Sequence, residues 1–282
     1  MGRGGSVIPV DEAETKKFVE WLPDIKWNEA FVVMLLIRSK KLKERYGFKG
    51  TDHVLKLEIV PGYVPLWRRR LLSKIKRFAI LAYYSEEVYE YVRYKPGTRE
   101  PDEVIPIPRE LVGVMMSVNP ADWVRASVKA VDEFSVSLVD AMYNPGEAPR
   151  IVRRVDLRVP ALCMRYAKRK FHMIDLDTKH PGIVEDFESR LREVLGHVPA
   201  RVETPHGYHY LVRVSAFDRD AAKKWFGDFL KNLPNIRRTY ADTLGVAGEE
   251  AEKLIEYKKD FQEPVPGTRY QGDFIVRFRP EQ

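Results

Sequence analysis

The sequence predicts an α+β fold, a mostly antiparallel sheet with helices packed against it. The order of segments in the second half carries this: strand, helix, hairpin, helix, strand, strand, which is not the strict alternation of a parallel sheet. Helices are marked by apolar residues three and four apart, strands by alternation, and breaks by Pro-Gly or Asn-Pro pairs.

Taken in order, residues 28–45 read as a helix, with Phe31, Met34, Leu35 and Leu42 on one side and Arg38, Lys40, Lys41, Lys43 and Arg45 towards its end. Residues 53–60 (HVLKLEIV) alternate as a strand and stop at Pro61-Gly62. Trp67 heads a run of cations reaching Lys76; residues 77–84 read as a strand and 87–94 as a strand or helix. Residues 111–118 (LVGVMMSV) read as a buried strand closed by Asn119-Pro120. Residues 122–142 form a helix, with Val124, Val128, Val131, Phe134, Leu138 and Met142 at helical spacing. It ends at Asn144-Pro145-Gly146, a natural break between halves. Beyond it, residues 159–166 and 170–176 read as strands, and 183–195 as an amphipathic helix closed by Gly196. A hairpin of 200–204 and 208–214 turns at Pro205-His206-Gly207. Residues 218–233 read as a helix with Ala222, Trp225, Phe226, Phe229 and Leu233 inside. Residues 254–258 and 274–278 close the chain as strands around a Pro-Gly loop.

At 282 residues, 44% hydrophobic and 32% charged, the chain has the make-up of a folded protein with room for one large domain or two packed ones. The longest apolar run, Phe31 to Ile37, is far short of the roughly 20 residues that cross a bilayer, so no membrane partner is expected. The opening residues lack the apolar stretch of a secretory signal, and a cytoplasmic location is expected. Cys163 is the only cysteine, which excludes an intrachain disulfide and a cysteine-built zinc site. Any metal must sit on carboxylates and imidazoles, which favours Mg²⁺ or Mn²⁺. The net charge of +7 and isoelectric point near 9.3 suit a phosphate-rich partner.

Chemistry concentrates in three segments. In Phe171–Asp177 (FHMIDLD) strand alternation puts Met173, Asp175 and Asp177 on one face and Ile174 and Leu176 on the other. Adjacent carboxylates repel unless a cation lies between them, and two-metal nucleotidyl transfer uses that arrangement. In Arg201–Val212 (RVETPHGYHYLV), His209 opens the outgoing strand near Thr204 and His206, and Gly207 admits close approach of a ligand. In Leu254–Phe278, Glu256, Asp260 and Asp273 are candidate acids and Arg269 and Arg277 candidate cations around a stiff PVPGT turn.

IDLD, then GYHYLV, then an acid before PVPGT resembles the three motifs of the archaeo-eukaryotic primase superfamily. More narrowly, the chain is similar to compact prokaryotic primase-polymerases, including those found beside CRISPR systems; MMSVNPADW resembles a stretch upstream of their first motif. The likeness spans roughly residues 110 to 280. It implies a primase-type catalytic core over 106–282; residues 1–105, which it does not cover, read from their own composition as a basic α/β module packed on that core. It implies two Mg²⁺ or Mn²⁺ ions on Asp175, Asp177 and a third acid, for which Asp260 is chosen and Asp273 and Glu256 stay open. His209 matches the histidine that contacts the incoming nucleotide's phosphates. Gly207 stands where serine is common in the family, so one hydroxyl contact is missing. Thr268, Arg269 and Gln271 are expected along the nucleotide pocket, and Asn119 near nucleotide or template. The expected function is template-dependent addition of nucleoside triphosphates to a 3′-hydroxyl on single-stranded DNA. The basic first half, including Arg68, Arg69 and Arg70, would track the strand while Trp67 or nearby tyrosines stack on its bases. A monomer is expected, with CRISPR or replication proteins as candidate partners. Rival readings are a metal-dependent nuclease and a primase-fold binding module without activity.

Overall fold

The computed structural model describes residues 9–38, 53–94, 100–144, 146, 161–216, 219–258 and 262–282. It combines helices with antiparallel sheets, the α+β class expected. The chain divides into two compact units, Met1–Lys168 with Gln262–Ile275, and Arg169–Phe261 with Val276–Gln282. The boundary expected at residue 105 therefore lies inside the first unit.

The first unit is built on β1 (Glu29–Ile37), whose nine residues are all buried. It pairs antiparallel with β2 (His53–Pro61) on one side and on the other with β5 (Val112–Met116) and the short β6 (Ala121–Asp122). Residues 29–37 were expected to be helical. A central strand covered on both faces reads as an unbroken apolar run, which periodicity alone does not separate from a buried helix; residues 39–45 lie outside the described residues. Of residues 77–84, expected as a strand, 77–83 belong instead to α2 (Trp67–Tyr83) and Tyr84 caps it. Its buried Leu71, Ile75, Phe78, Ala79 and Ala82 recur at helical spacing, and they pack against β1, β2 and β5. A three-residue alternation in RFAILAYY is local and loses to that longer pattern. A short helix α3 (Ser85–Val88) leads into the two-stranded pair β3 (Glu90–Tyr94) and β4 (Pro101–Pro106).

Helix α4 (Trp123–Tyr143) begins where expected, capped by Asp122, whose carboxylate accepts the Arg125 N–H at 3.1 Å. Its expected apolar stripe is not its buried side. Ala126, Ala130 and Ala141 are buried, whereas Val128, Val131, Leu138 and Met142 are exposed. Small residues let the helix backbone come close to its neighbours, and the larger ones are left outside. Residues 161–165 are helical (α5) rather than extended. Cys163 sits there fully buried, and burial, with the nearby Asp122 charge, pushes its thiol up to about 11, so it is no nucleophile.

The PVPGT turn is interior structure rather than a ligand rim. Following β11 (Glu263–Pro264), its residues are buried against the start of α1 (Glu12–Trp21). The Asp11 N–H donates to Gly267 O at 2.7 Å, and the Thr15 hydroxyl lies 2.9 Å from Pro266 O. Gly267 has φ +83, and a Cβ there would fall 2.2 Å from Thr15 Oγ1 and 2.4 Å from Asp11 O.

The second unit is a five-stranded antiparallel sheet. Across it run β10 (Ile255–Lys258), β7 (Phe171–Leu176), β9 (Tyr208–Arg213), β8 (Ala200–Glu203) and β14 (Arg277–Arg279). One face carries Ile174, Leu176, Tyr210, Val212 and Ile255 into a core with Ile183, Phe187 and Leu191 of α6 (Pro181–Leu195). Phe229, Leu233, Tyr240 and Ala241 of α7 (Arg219–Leu244) complete that core. Gly196, at φ +76, ends α6 as expected. Helix α7 runs past the expected end at residue 233 and carries Pro234 within it. Tyr240 rewards the extra turns with a 2.6 Å hydrogen bond from its hydroxyl to Asp186. The side chains of Ala222, Trp225 and Phe226 lie outside the described residues. The last expected strand, 274–278, is two strands: β13 (Phe274–Ile275) pairs with β12 (Arg269–Tyr270) in the first unit, and β14 pairs with β8 in the second. Among the described residues no helix is long and apolar enough to cross a membrane.

Two glycines with left-handed backbones separate steric from conformational cost. Gly196 has no atom within 4 Å of a hypothetical Cβ, whereas Gly267 has three within 3 Å. In urea denaturation, Gly196→Ala should cost about 1 kcal/mol from backbone strain alone. Gly267→Ala should cost distinctly more, above about 2 kcal/mol, because overlap adds to strain. Equal losses would contradict the packing of the turn on α1.

Candidate active site

Asp175 occupies the fifth position of β7, between β10 and β9, and the register decides its neighbours. Glu256 stands opposite it on β10 and His209 opposite it on β9. Directly opposed residues of an antiparallel pair share a face. Glu256, Asp175 and His209 therefore form one row, which continues through Val202 and Phe278. The alternate residues Ile174, Leu176 and Tyr210 point into the core and hold the strand in this phase.

Two carboxylates opposed on neighbouring strands destabilise a sheet unless something neutralises them. Here Lys258 does so. Two residues beyond Glu256 on the same face, its ammonium lies 2.5 Å from Asp175 Oδ2 and 3.0 Å from Glu256 Oε2. Burial pulls the Lys258 pKa down, but the Asp175 and Glu256 carboxylates more than offset this and hold it above the ordinary lysine value. On the other side, His209 Nε2 is 3.4 Å from Asp175 Oδ1. Asp175 and His209 are mostly buried, 17% and 14% exposed, while Glu256 and Lys258 reach water at about 40%. On the opposite face the Tyr257 hydroxyl meets His172 Nδ1 at 2.7 Å.

Gly207 is explained by its own chain. A Cβ at this position would lie 1.9 Å from Leu176 O, 2.8 Å from Thr178 N and 2.9 Å from Asp177 Cα. The expectation that its small size admits a ligand is replaced by a structural reason: the turn before β9 packs backbone on backbone against the end of β7. The turn is closed by Thr204, whose N–H donates to Gly207 O at 2.9 Å, while its Oγ1 accepts the Gly207 N–H at 3.2 Å. A serine side chain does not fit here. Asp177, one residue past β7, is exposed, and its N–H donates to Leu254 O at 2.9 Å.

Compared with protein-family models, curated proteins and solved structures, the chain matches none of them.

Of the other expected site residues, Asp260 lies outside the described residues. Asp273 belongs to the first unit, where it pairs with Arg269 and lies 3.6 Å from Arg109. Thr268 is buried, and its hydroxyl donates to Val265 O at 2.7 Å. Besides binding Asp273, Arg269 has its guanidinium 5.6 Å from the Tyr83 ring centre. Gln271 sits in the 271–273 turn with φ +50. Asn119 is buried, and its carbonyl accepts the Ser117 hydroxyl at 2.6 Å. Arg68 braces the fold, bonding Asp24 at 2.7 Å and Leu22 O at 2.8 Å, with its guanidinium 4.3 Å from the Trp67 ring centre. Trp67 itself packs on Phe31 at 5.5 Å, whereas Arg69 and Arg70 are exposed.

Lys258 is the residue that sequence reading missed, although its two-residue spacing from Glu256 places both on one strand face. Among the described residues no three His, Cys, Asp or Glu side chains stand ready to hold a metal ion. The donor pair Asp175–Glu256 nevertheless already shares one cation, the Lys258 ammonium on a flexible stem. With that stem displaced, the two carboxylates are the donors available to a divalent ion.

Adding a hydroxymethyl group at the tightest point of the site tests this packing. Gly207→Ser should lower stability by more than about 2 kcal/mol in thermal melting. An unchanged melting midpoint would contradict the contact with Leu176 and Thr178.

Proposed function

We propose that the chain is a template-dependent nucleotidyltransferase of the primase type, adding nucleoside triphosphates to a 3′-hydroxyl. One observation carries the reading: Asp175, His209 and Glu256 lie side by side on one face of three adjacent antiparallel strands. That combines the first and second motifs of the resemblance with an acid from the third segment, on elements that the resemblance leaves far apart in sequence. The net charge of +7 supports a polyanionic substrate.

In this reading Asp175 and Glu256, with Asp177 at the strand end, would hold divalent ions. When bound, such ions neutralise triphosphate charge and lower the pKa of an attacking hydroxyl. Asp175 is kept from rotating by its position in the ladder and by its neighbours His209 and Lys258. His209, largely buried, can donate from its imidazole to a phosphate oxygen. Lys258 would keep the acids neutralised until substrate arrives, then bind phosphate or leave them to the metal.

The same lysine supports one rival. With Lys258 between Asp175 and Glu256, the two opposed carboxylates already share a cation without metal, as a non-catalytic binding module would need.

The test incubates the protein with single-stranded template, Mn²⁺ and labelled nucleotides, with and without primer. Extension products are expected, reduced more than about a hundredfold by Asp175→Asn, with DNA affinity kept. His209→Ala should raise the KM for nucleotide about ten- to a hundredfold, the worth of a charge-assisted hydrogen bond. Template binding without any extension by the wild type would favour the binding module; degradation without nucleotides would favour a nuclease.

A further inference from the structure

The first unit exposes large aromatic side chains that its core does not use. Three chain segments meet at one end of β1: the turn before it (26–28), the turn after β2 (61–66) and the start of α4. Their junction is rigid. Gly62 packs so tightly that a Cβ would lie 2.2 Å from Lys26 O, and its N–H donates to Glu29 O at 2.8 Å. The Trp123 N–H donates to Asn28 O at 3.2 Å and its indole Nε1–H to Trp27 O at 3.2 Å. The Trp123 ring rests 5.4 Å from that of Tyr63, tilted by 40°.

On this frame Trp27 is 67% exposed, Tyr63 57% and Leu66 71%. Single exposed apolar residues are ordinary, but three large ones on two touching turns are a patch. Leu66 also holds a left-handed backbone, φ +56, a costly conformation for a residue this exposed. The charges around the patch are one-sided. Lys26, Arg69, Arg70 and Arg125 are exposed. The nearby acids are engaged within the fold: Asp24 with Arg68, and Glu29 and Asp122 with Lys168 at 3.4 and 3.5 Å.

Exposed aromatics on a tightly packed backbone, beside exposed cations whose neighbouring acids already hold cations of the fold, fit a ligand that offers flat apolar rings on an anionic chain. We propose that Trp27 and Tyr63, backed by Trp123, form a stacking platform for the unpaired bases of single-stranded nucleic acid. Lys26, Arg69, Arg70 and Arg125 face its phosphates. An apolar protein partner would use the aromatics but not the cations, and so is disfavoured. The strand's role as template rests on the proposed function; the platform itself does not. It replaces Trp67, whose ring is covered by Phe31 and Arg68, as the residue that stacks.

The test measures fluorescence anisotropy of a labelled oligothymidylate with the full chain, without metal or nucleoside triphosphate, so catalysis plays no part. Trp27→Ala with Tyr63→Ala should weaken binding about ten- to a hundredfold, since stacking is worth roughly 1–3 kcal/mol per base. Trp27→Phe with Tyr63→Phe should stay within about threefold of wild type. An abasic oligomer, with the same phosphates and no bases, should bind the wild type as weakly as the alanine pair binds the intact strand. Wild-type affinity should fall with salt, as phosphate neutralisation requires. No binding by the wild type, equal affinity for abasic and intact strands, or an alanine pair that binds normally would each overturn the platform. Normal stacking behaviour in a protein that never extends a primer would leave the platform standing and remove the polymerase reading instead.

Discussion

The second unit depends on one strand register, the pairing of Phe171–Leu176 with Tyr208–Arg213 on one side and Ile255–Lys258 on the other. A slip of one residue along either ladder would turn Asp175, His209 or Glu256 towards the helices and bring Ile174 or Tyr210 to the face that now carries Asp175. The register is defended from the apolar side, where Ile174, Leu176, Tyr210 and Ile255 are almost wholly buried beneath α6 and α7. The chemistry of the polar face is thus imposed by packing on its back. What packing imposes there is unfavourable in itself, an aspartate and a glutamate opposed across a strand pair, and Lys258 makes it tolerable.

Gly207 belongs to the same logic. The turn before β9 leaves no room for a side chain between itself and the carbonyl of Leu176. Bringing the two strand ends this close sets Asp177 and His209 at the same end of the two inner strands and leaves no room for a side chain at residue 207. The first unit shows a comparable exchange. PVPGT, a sequence suited to a loop at a site, is spent on locking α1 to the sheet through Asp11, Thr15 and Gly267.

Much of the candidate site was legible because strand alternation is a two-residue code. FHMIDLD could be phased from its own apolar residues, and the GYHYLV arm followed from its turn. Glu256 stayed one of three acids because register between distant strands depends on contacts that no local pattern records; the structure sets it opposite Asp175, while Asp260 lies outside the described residues. The misread elements fail for identifiable reasons. Phe31 to Ile37 is apolar on both faces, so no period distinguishes strand from helix. In α4 the largest apolar residues suggested the inner side, but alanines took it, since close helix approach favours small side chains. Arg68 was expected to meet the nucleic acid and Thr268 the nucleotide; Arg68 is instead bonded at the surface to Asp24 and Leu22 O, and Thr268 is buried on Val265 O, partners that sequence alone does not show.

The central claim is that Asp175 and Glu256 form one cation-binding pair that Lys258 fills in the resting protein. Titrating Mn²⁺ while following the free ion by electron paramagnetic resonance tests it directly. The account predicts measurable binding by the wild type, tighter binding when Lys258 is replaced by methionine, and loss of binding in Glu256→Gln. Mn²⁺ affinity that ignores both substitutions would contradict it.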